Sequence, residues 1–306
     1  MILSKHFNYH PSVRLAMASG SPVLAMESTI VAHGLPYPQN SEFLKDAEEL
    51  CRKLDVIPAI IAIHKGKIQV GLFDAVKEII ISGKSVKKIG SRDLGIALSQ
   101  GWSAATTVSA TMRIAALVGL QVFATGGIGG VHVNAPDSFD ISQDLTELSH
   151  SRVVVVSAGV KAVLDIPKTI EYLETLSVPV VGYQASAFPA FYYRNSGCLL
   201  SSRCETPDEI ANLYKIHSEL GFRSGVLVVN PIPEKDEISK DFILPLIGKA
   251  TKECDRQNIT GKDVTPYLLK RVEELSAGGS IKANLALALN NIRLGCEIAL
   301  ALNNEN

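Results

Sequence analysis

The chain has 306 residues, of which 46% are hydrophobic and 20% charged, with a formal net charge of −1. This is the composition of a soluble globular protein long enough to bury a large core, and the balanced charge argues against a nucleic-acid partner. Five scattered cysteines without a CxxC pair argue against a disulfide framework or a structural zinc site and favour a reducing compartment. We find no signal peptide and no run of about 18 apolar residues, so we expect a cytoplasmic protein without a membrane partner.

The first half of the chain alternates short apolar runs with amphipathic segments. We predict a helix over 11–17 closed by Gly20, a buried strand over 22–26, a fixed loop over 33–40 and a helix over 42–53 capped by Asn40 or Ser41. A β-hairpin over 57–72 turns at Lys65-Gly66 and precedes a helix over 73–81, a strand over 86–89 and helices over 93–100 and 106–118.

The second half continues the same alternation. Strands are predicted over 122–124, 153–156, 179–182 and 225–229, and helices over 168–176, 207–220, 238–254, 265–275 and 280–302. Strands that alternate with helices indicate an α/β fold with a mostly parallel sheet covered on both faces. Because no linker or repeat interrupts the pattern, we expect residues 1–306 to form a single domain.

Residues 122–161 contain most of the candidate functional groups. The run Val122–Ala124 ends in Thr125 and then in four glycines within 126–130, and the run Val153–Val156 ends shortly before Lys161. The carboxyl ends of parallel strands form the edge where open α/β sheets bind ligands. The glycines offer close backbone approach and N–H groups for a phosphate or sugar hydroxyl, although a tight turn without a ligand is an equally good interpretation. They do not form the GxGxxG dinucleotide fingerprint, because His132 stands at its last glycine position.

A lysine and a glutamate are predicted at the same edge of the sheet. Lys161 is surrounded by apolar residues, which would lower the pKa of its amine and leave it free to attack a carbonyl. The alternative is a surface lysine that lies over the sheet edge. Glu27 directly follows a buried strand, where its carboxylate suits general acid–base catalysis or pairing with the lysine.

Further polar candidates flank this pair. Asp140 and Asp144 are four residues apart, a spacing that suits a hydrated divalent cation such as Mg²⁺ or Mn²⁺. Helix capping by Asp140 or Ser142 explains the same pattern equally well. Lys88, at the end of its own strand, is a candidate contact for a phosphate or hydroxyl group.

Several long strings in the chain resemble the pseudouridine-5′-phosphate glycosidases, a group that includes the indigoidine synthase A-like proteins. The resemblance runs from about Pro22 to near the carboxyl end. It rests on MESTIVAHGLPYPQN, TTVSATMRIAALVGLQVFATGGIGGVH, FDISQDLTEL, SAGVKAVLDIPKTIEYLET, VPVVGYQ, FPAFY, NPIP, GKDVTPYLL and NNIRL.

This resemblance implies a three-layer α/β/α homotrimer. It also implies a manganese-dependent enzyme, with Mg²⁺ or another divalent ion as a substitute. The implied reaction is the reversible cleavage of the C–C glycosidic bond of pseudouridine 5′-phosphate to uracil and ribose 5-phosphate. The implied roles are Schiff-base lysine for Lys161, proton donor for Glu27, metal ligand for Asp140, and substrate contacts for Lys88, Val108, Ser142, Gln143, Asp144, Thr125, His132 and Asn284.

The chain departs from the family pattern at two places beside these residues. Val133-Asn134 stands where an Arg-Gly pair is common, which removes a candidate cation for the phosphate, and Gln143 stands where a small residue is common. Two other hypotheses therefore remain alongside the glycosidase: a different sugar-phosphate lyase that uses a Schiff base at Lys161, and a non-catalytic module that binds a sugar phosphate.

Overall fold

The computed structural model describes residues 3–259, 261 and 264–303. Over these residues the strands are β1 Phe7–Tyr9, β2 Val23–Met26, β3 Ile57–His64, β4 Lys67–Val70, β5 Lys87–Ile89, β6 Ala104–Thr106, β7 Val122–Ala124, β8 Val154–Ser157, β9 Val180–Tyr183, β10 Arg203–Cys204 and β11 Val226–Val229. The α-helices are α1 Pro11–Ser19, α2 Gln39–Lys53, α3 Asp74–Ser82, α4 Leu94–Ser99, α5 Val108–Val118, α6 Ala135–Ser138, α7 Gln143–Leu148, α8 Ile166–Thr175, α9 Pro207–Glu219, α10 Lys240–Arg256, α11 Val264–Leu275 and α12 Gly279–Asn303.

The strands form one mostly parallel sheet in the order β1-β4-β3-β2-β7-β8-β11-β9-β10. All neighbours from β3 to β10 along this order are parallel, and β3 and β4 form the antiparallel hairpin that the Lys65-Gly66 turn predicts. Helices α2 and α9 pack against α12 on one face, and α5 packs with α7 on the other. The α/β class and the three-layer arrangement are therefore confirmed.

A short strand that the sequence analysis did not predict lies beside the longer β3. Strand β6 runs antiparallel to the second half of β3, next to Ala62 and Ile63, where β2 has already ended. Its last residue, Thr106, meets Ser28, which follows β2, and both hydroxyl groups donate to the carbonyl oxygen of Ile61. The predicted helix over 106–118 consequently begins only at Val108.

The start of α2 also differs from the prediction. The helix begins at Gln39 after the cis peptide bond Tyr37–Pro38, and neither Asn40 nor Ser41 is its N-cap. The amide of Asn40 instead donates to the carbonyl oxygens of Val31 and Ile81. The side chain therefore connects the turn that precedes α2 to α3.

Helix α12 is the central helix of one layer. It has the length and apolar composition of a membrane span, but 61% of that window is buried inside the protein. It packs on β2, β7 and β8 and between α2 and α9. At Gly295 the helix comes so close to the sheet that an added Cβ would lie 2.9 Å from Leu24 Cδ1. These contacts explain its apolar composition as that of a core helix.

Candidate active site

Three adjacent strands deliver their carboxyl ends to one place. Met26, Ala124 and Val156 are register partners across β2, β7 and β8. The residues that follow them, Glu27 and Thr125 among them, therefore lie side by side at one edge of the sheet. This is the edge at which the sequence analysis predicted a ligand site.

The carboxyl group of Glu27 is buried at this edge, and that of Asp144 is buried as well. The hydroxyl group of Thr125 donates a short hydrogen bond to the carboxylate of Glu27. Burial raises the pKa of Glu27, because an ionised carboxylate loses its hydration, and the charge of Asp144 adds to this. The charges of Lys161 and Lys88 and the bond from Thr125 act in the opposite direction. Such a carboxyl group keeps its proton to higher pH than an ordinary glutamate.

A small cavity lies behind Glu27, between the sheet and helices α2 and α12. Its volume is about 20 Å³, the space of roughly one water molecule. Apart from Glu27 and Thr125, the side chains that line it are apolar, among them Phe43, Ile60 and Ile292. This apolar surrounding is the physical cause of the raised pKa of Glu27.

Asp144 ties the start of α7 to two other parts of the site. Its carboxylate accepts hydrogen bonds of 2.8 Å from the backbone N–H of Ser109, in the first turn of α5, and of 2.8 Å from that of Gly129. Ser142 caps α7 by accepting from the N–H of Asp144, so the capping alternative is confirmed for Ser142. Gln143 accepts from the N–H of Arg92, which joins α7 to the segment after β5.

The glycines over 126–130 provide space rather than unusual backbone angles. None of the four has a positive φ, in contrast to Gly159 after β8. A Cβ added at Gly127 would lie 2.6 Å from the ring of Phe191, and one at Gly130 would lie 2.6 Å from Thr169 Oγ1. The N–H groups of Ile128, Gly129 and Val131 are already bonded within the protein. Close packing is thus one reason for glycine at 127 and 130.

We expect Gly129→Ala to damage the site. The added Cβ would lie 2.1 Å from Ser142 Oγ and 2.9 Å from Asp144 Oδ2, so both side chains must move. Displacing positioned groups by about 1 Å lowers kcat/KM about a hundredfold, and overpacking costs about 1–3 kcal/mol of unfolding free energy. Steady-state kinetics and thermal unfolding measure both. Gly248→Ala, inside α10 with open space around it, is the matched control and should be neutral or stabilising; equal behaviour of the two variants would contradict the prediction.

The remaining predicted contacts reach the same edge from other elements. Lys161 comes directly after a β-bridge to the glycine segment; its N–H donates to the carbonyl oxygen of Ile128, and its charge acts on Glu27. Lys88 lies on the exposed side of β5 and also acts on Glu27. Val108 is the first residue of α5 and is buried.

Asp140 and His132 form a pair at the mouth of the glycine segment. Their Oδ2 and Nε2 atoms are 3.8 Å apart. Burial lowers the pKa of His132, an effect that the charge of Asp140 opposes. Over residues 3–259, 261 and 264–303, no group of three His, Cys, Asp or Glu side chains is arranged around a metal position. A single carboxylate such as that of Asp140 fits a hard cation that keeps most of its water ligands. It does not fit a cation whose ligands all come from the protein.

Helix α12 adds two asparagines to the site. Asn284, which was predicted as a contact, lies beside Gly126, where an added Cβ would be 3.3 Å from its Oδ1. Asn291 is fully buried, and its amide donates to the carbonyl oxygens of Thr125 and Gly126. Asn230, after β11, donates to the Oδ1 of Asn291. Neither Asn230 nor Asn291 was predicted as a site residue, although a polar amide within the apolar run of α12 was a signal.

Comparison with known proteins gives a consistent result over nearly the whole chain. The family model described as indigoidine synthase A like protein matches residues 12–301. A pseudouridine-5′-phosphate glycosidase of Caldanaerobacter subterraneus subsp. tengcongensis is 46% identical over 98% of both chains. Pseudouridine-5′-phosphate glycosidase 2 of Rhizobium johnstonii is 49% identical over 94% of this chain and 93% of its own.

Two solved structures share the fold. The prealnumycin C-glycosynthase AlnA, determined in complex with ribulose 5-phosphate, superposes with a TM-score of 0.92 at 35% identity and covers 99% of this chain and 98% of its own. An indigoidine synthase A-like protein of Thermotoga maritima superposes with a TM-score of 0.86 at 41% identity and covers 93% of this chain and 94% of its own.

Proposed function

Because the chain belongs to the indigoidine synthase A-like protein family, we propose that it is a pseudouridine-5′-phosphate glycosidase that reversibly splits pseudouridine 5′-phosphate into uracil and ribose 5-phosphate. Curated relatives at 46–49% identity have this name, and the C-glycosynthase AlnA was solved with a pentose phosphate. The observation that carries the proposal is that Lys161 lies close enough to the buried carboxyl group of Glu27 for its charge to act on that group. A buried carboxyl group of raised pKa and a lysine act on each other at one sheet edge.

The chemistry requires these two groups. In a C-glycoside the uracil has no heteroatom through which it can leave the sugar. When the C1′–O4′ bond opens, its electron pair stays on O4′, and C1′ becomes an electrophile conjugated with the uracil ring. We propose that the amine of Lys161 adds to C1′, and that the proton which this amine loses balances the proton that O4′ takes up to become a hydroxyl group. Glu27 donates a proton to uracil C5. The lysine nitrogen then forms an iminium with C1′ while the C1′–C5 electron pair passes to the uracil, and water hydrolyses the iminium to ribose 5-phosphate.

The other residues of the edge would bind and orient the substrate. Lys88 and His132, together with Thr125 and Asn284, would contact the phosphate and the sugar. The backbone of Val108 and the segment of Ser142, Gln143 and Asp144 would complete the pocket. When bound, Mn²⁺ held by Asp140 would orient substrate and water as a largely hydrated cation.

The synthetic direction gives the direct test. The protein is incubated with uracil, ribose 5-phosphate and Mn²⁺, and mass spectrometry follows the product. An acid-stable nucleotide with a C–C bond supports the glycosidase. Without that product, borohydride trapping with ribose 5-phosphate alone separates the alternatives: an adduct at Lys161 indicates a different sugar-phosphate lyase, and no adduct indicates a binding module.

We expect Asp140→Ala to weaken the dependence of activity on Mn²⁺. Removal of the carboxylate leaves the hydrated cation without its anionic anchor, so saturation needs more metal. A manganese titration of the initial rate measures the shift. Asp137→Ala, an exposed aspartate on α6, is the matched control. An Asp140→Ala titration that overlays the wild type would remove Asp140 from the metal site.

Assembly and location follow from the same resemblance. We propose a homotrimer in the cytoplasm, as the family pattern implies. Light scattering coupled to size-exclusion chromatography measures the mass against 32.9 kDa for one chain, and a monomer would contradict the trimer.

A further inference from the structure

A chain of buried hydrogen bonds connects strand β11 to the proton-donating carboxyl group. Asn230 Nδ2 donates to Asn291 Oδ1 at 3.0 Å. Asn291 Nδ2 donates to the carbonyl oxygens of Thr125, at 2.8 Å, and Gly126, at 3.1 Å. The hydroxyl group of Thr125 then donates to Glu27. The connection therefore runs from β11 through α12 and the end of β7 to the end of β2.

The two asparagines have little freedom to turn. Asn291 is 0% exposed and Asn230 is 5% exposed. A buried amide costs free energy when it lacks partners, so an orientation that satisfies all of its bonds is strongly preferred. Both N–H donors and the oxygen of Asn291 are used, which fixes which way the amide faces. Asn230 is held in turn, because its backbone N–H donates to the carbonyl oxygen of Ser157 at 2.8 Å.

Thr125 is consequently held on both sides of its Cα atom. Its N–H donates to the carbonyl oxygen of Val156 at 3.0 Å, and its own carbonyl oxygen accepts from Asn291. With the backbone fixed, the hydroxyl group has a defined direction toward Glu27. That hydrogen bond stabilises the ionised carboxylate and opposes the effect of burial on the pKa of Glu27.

We propose that Asn230 and Asn291 are positioning residues, which hold the Thr125 hydroxyl on Glu27 and so fix the proton donor for the reaction. Their role in turnover rests on the proposed glycosidase function, while their action on the Glu27 carboxyl group does not. Core packing alone would favour apolar side chains at two positions with so little exposure. The amide of Asn291 instead supplies a donor to the carbonyl oxygen of Thr125, and Asn230 supplies the donor that the Asn291 oxygen accepts.

The test compares pH profiles of kcat and of the Glu27 carboxyl group itself. Asn291→Leu removes the amide at similar volume, and Asn230→Ala is the milder variant if Asn291→Leu does not fold. We expect the limb that reports loss of the Glu27 proton to move about one pH unit upward, since the carboxylate loses a hydrogen bond. We also expect kcat at pH values below this limb to fall about tenfold with KM for ribose 5-phosphate unchanged, because a carboxyl group that is no longer held in position transfers its proton to the uracil less efficiently.

Two controls separate positioning from general stability. Asn290→Ala, the preceding residue of α12, loses a bond to the carbonyl oxygen of Pro231 at 3.2 Å and should change thermal stability without moving the limb. Thr125→Val removes the hydroxyl group directly. If Asn291 acts through Thr125, the double variant Thr125→Val with Asn291→Leu should lose kcat at the same pH as the single variant Thr125→Val. Additive changes in the limb, or lower stability with an unmoved limb, would overturn the proposal.

A readout without turnover keeps this proposal distinct from the glycosidase function. Infrared difference spectra of protein with ¹³C-labelled glutamate carboxyl groups follow the titration, and the Glu27→Gln variant identifies the Glu27 band. Titration of that band at higher pH in Asn291→Leu supports the positioning role even if no C-glycoside forms. A band that titrates as in the wild type contradicts the role even if the enzyme is active.

Discussion

Lys161→Ala should abolish turnover in both directions and the trapping of ribose 5-phosphate by borohydride. The amine is the only part of the side chain that can form an imine with C1′, and alanine offers no replacement. Lys161→Arg should be equally inactive, because the guanidinium group keeps the charge but stays protonated and does not act as a nucleophile. Product formation and the mass of the borohydride-treated protein measure both effects.

The matched control for this variant is Lys168→Ala. Lys168 lies seven residues further on, is half-exposed and forms an ion pair with Asp165. An exposed pair of this kind contributes at most about 1 kcal/mol, so the variant should keep its turnover. Near-normal rates in Lys161→Ala would rule out the imine, and a loss in Lys168→Ala would show that the effect is not specific to the lysine at the sheet edge.

Glu27→Gln should lower kcat about 10²- to 10⁴-fold, the usual contribution of a positioned acid, while ribose 5-phosphate still binds. The raised pKa of Glu27 keeps the acid protonated as pH rises, so wild-type kcat should fall only once the pH passes that pKa. The glutamine variant should lack this limb. Its unfolding midpoint should not decrease, because a neutral amide replaces a carboxyl group whose ionised form is costly in this buried position.

Glu147→Gln is the contrasting control. Glu147 is also a buried carboxyl group, but it pairs with Arg113 at 3.0 Å and accepts from Ser151, away from the sheet edge. Loss of that ion pair should lower the unfolding midpoint and leave kcat near that of the wild type. If Glu27→Gln lost sugar-phosphate binding together with rate, Glu27 would be a binding residue instead of the proton donor.

Much of the fold and the position of the site could be predicted from local patterns. The all-apolar runs before Glu27, Thr125 and Lys161 predicted buried parallel strands, and parallel strands share one carboxyl edge. The structure brings these three residues together at that edge. The rule works because sheet geometry turns three distant sequence positions into neighbours.

What could not be predicted depends on contacts between distant segments. Asn40 looked like a helix cap, but carbonyl groups from two other segments hold its amide. Strand β6 was missed because the partners of its three residues are β5 and the part of β3 that extends beyond β2, which only the tertiary fold brings beside it. The glycines over 126–130 suggested a phosphate cradle, yet side chains from 142, 169 and 191 press against them. No local pattern contains this information.

Helix α12 has a consequence for synthesis on the ribosome. It follows every described strand in the chain, yet it supplies Asn291, which holds the end of β7, and Asn284 beside Gly126. Chains emerge from their amino end and begin to fold before synthesis is complete. A nascent chain can therefore pair its strands before it can hold the end of β7, and with it the Thr125 hydroxyl group on Glu27, in place. Any activity that depends on this sheet edge would therefore appear only after α12 has packed against the sheet.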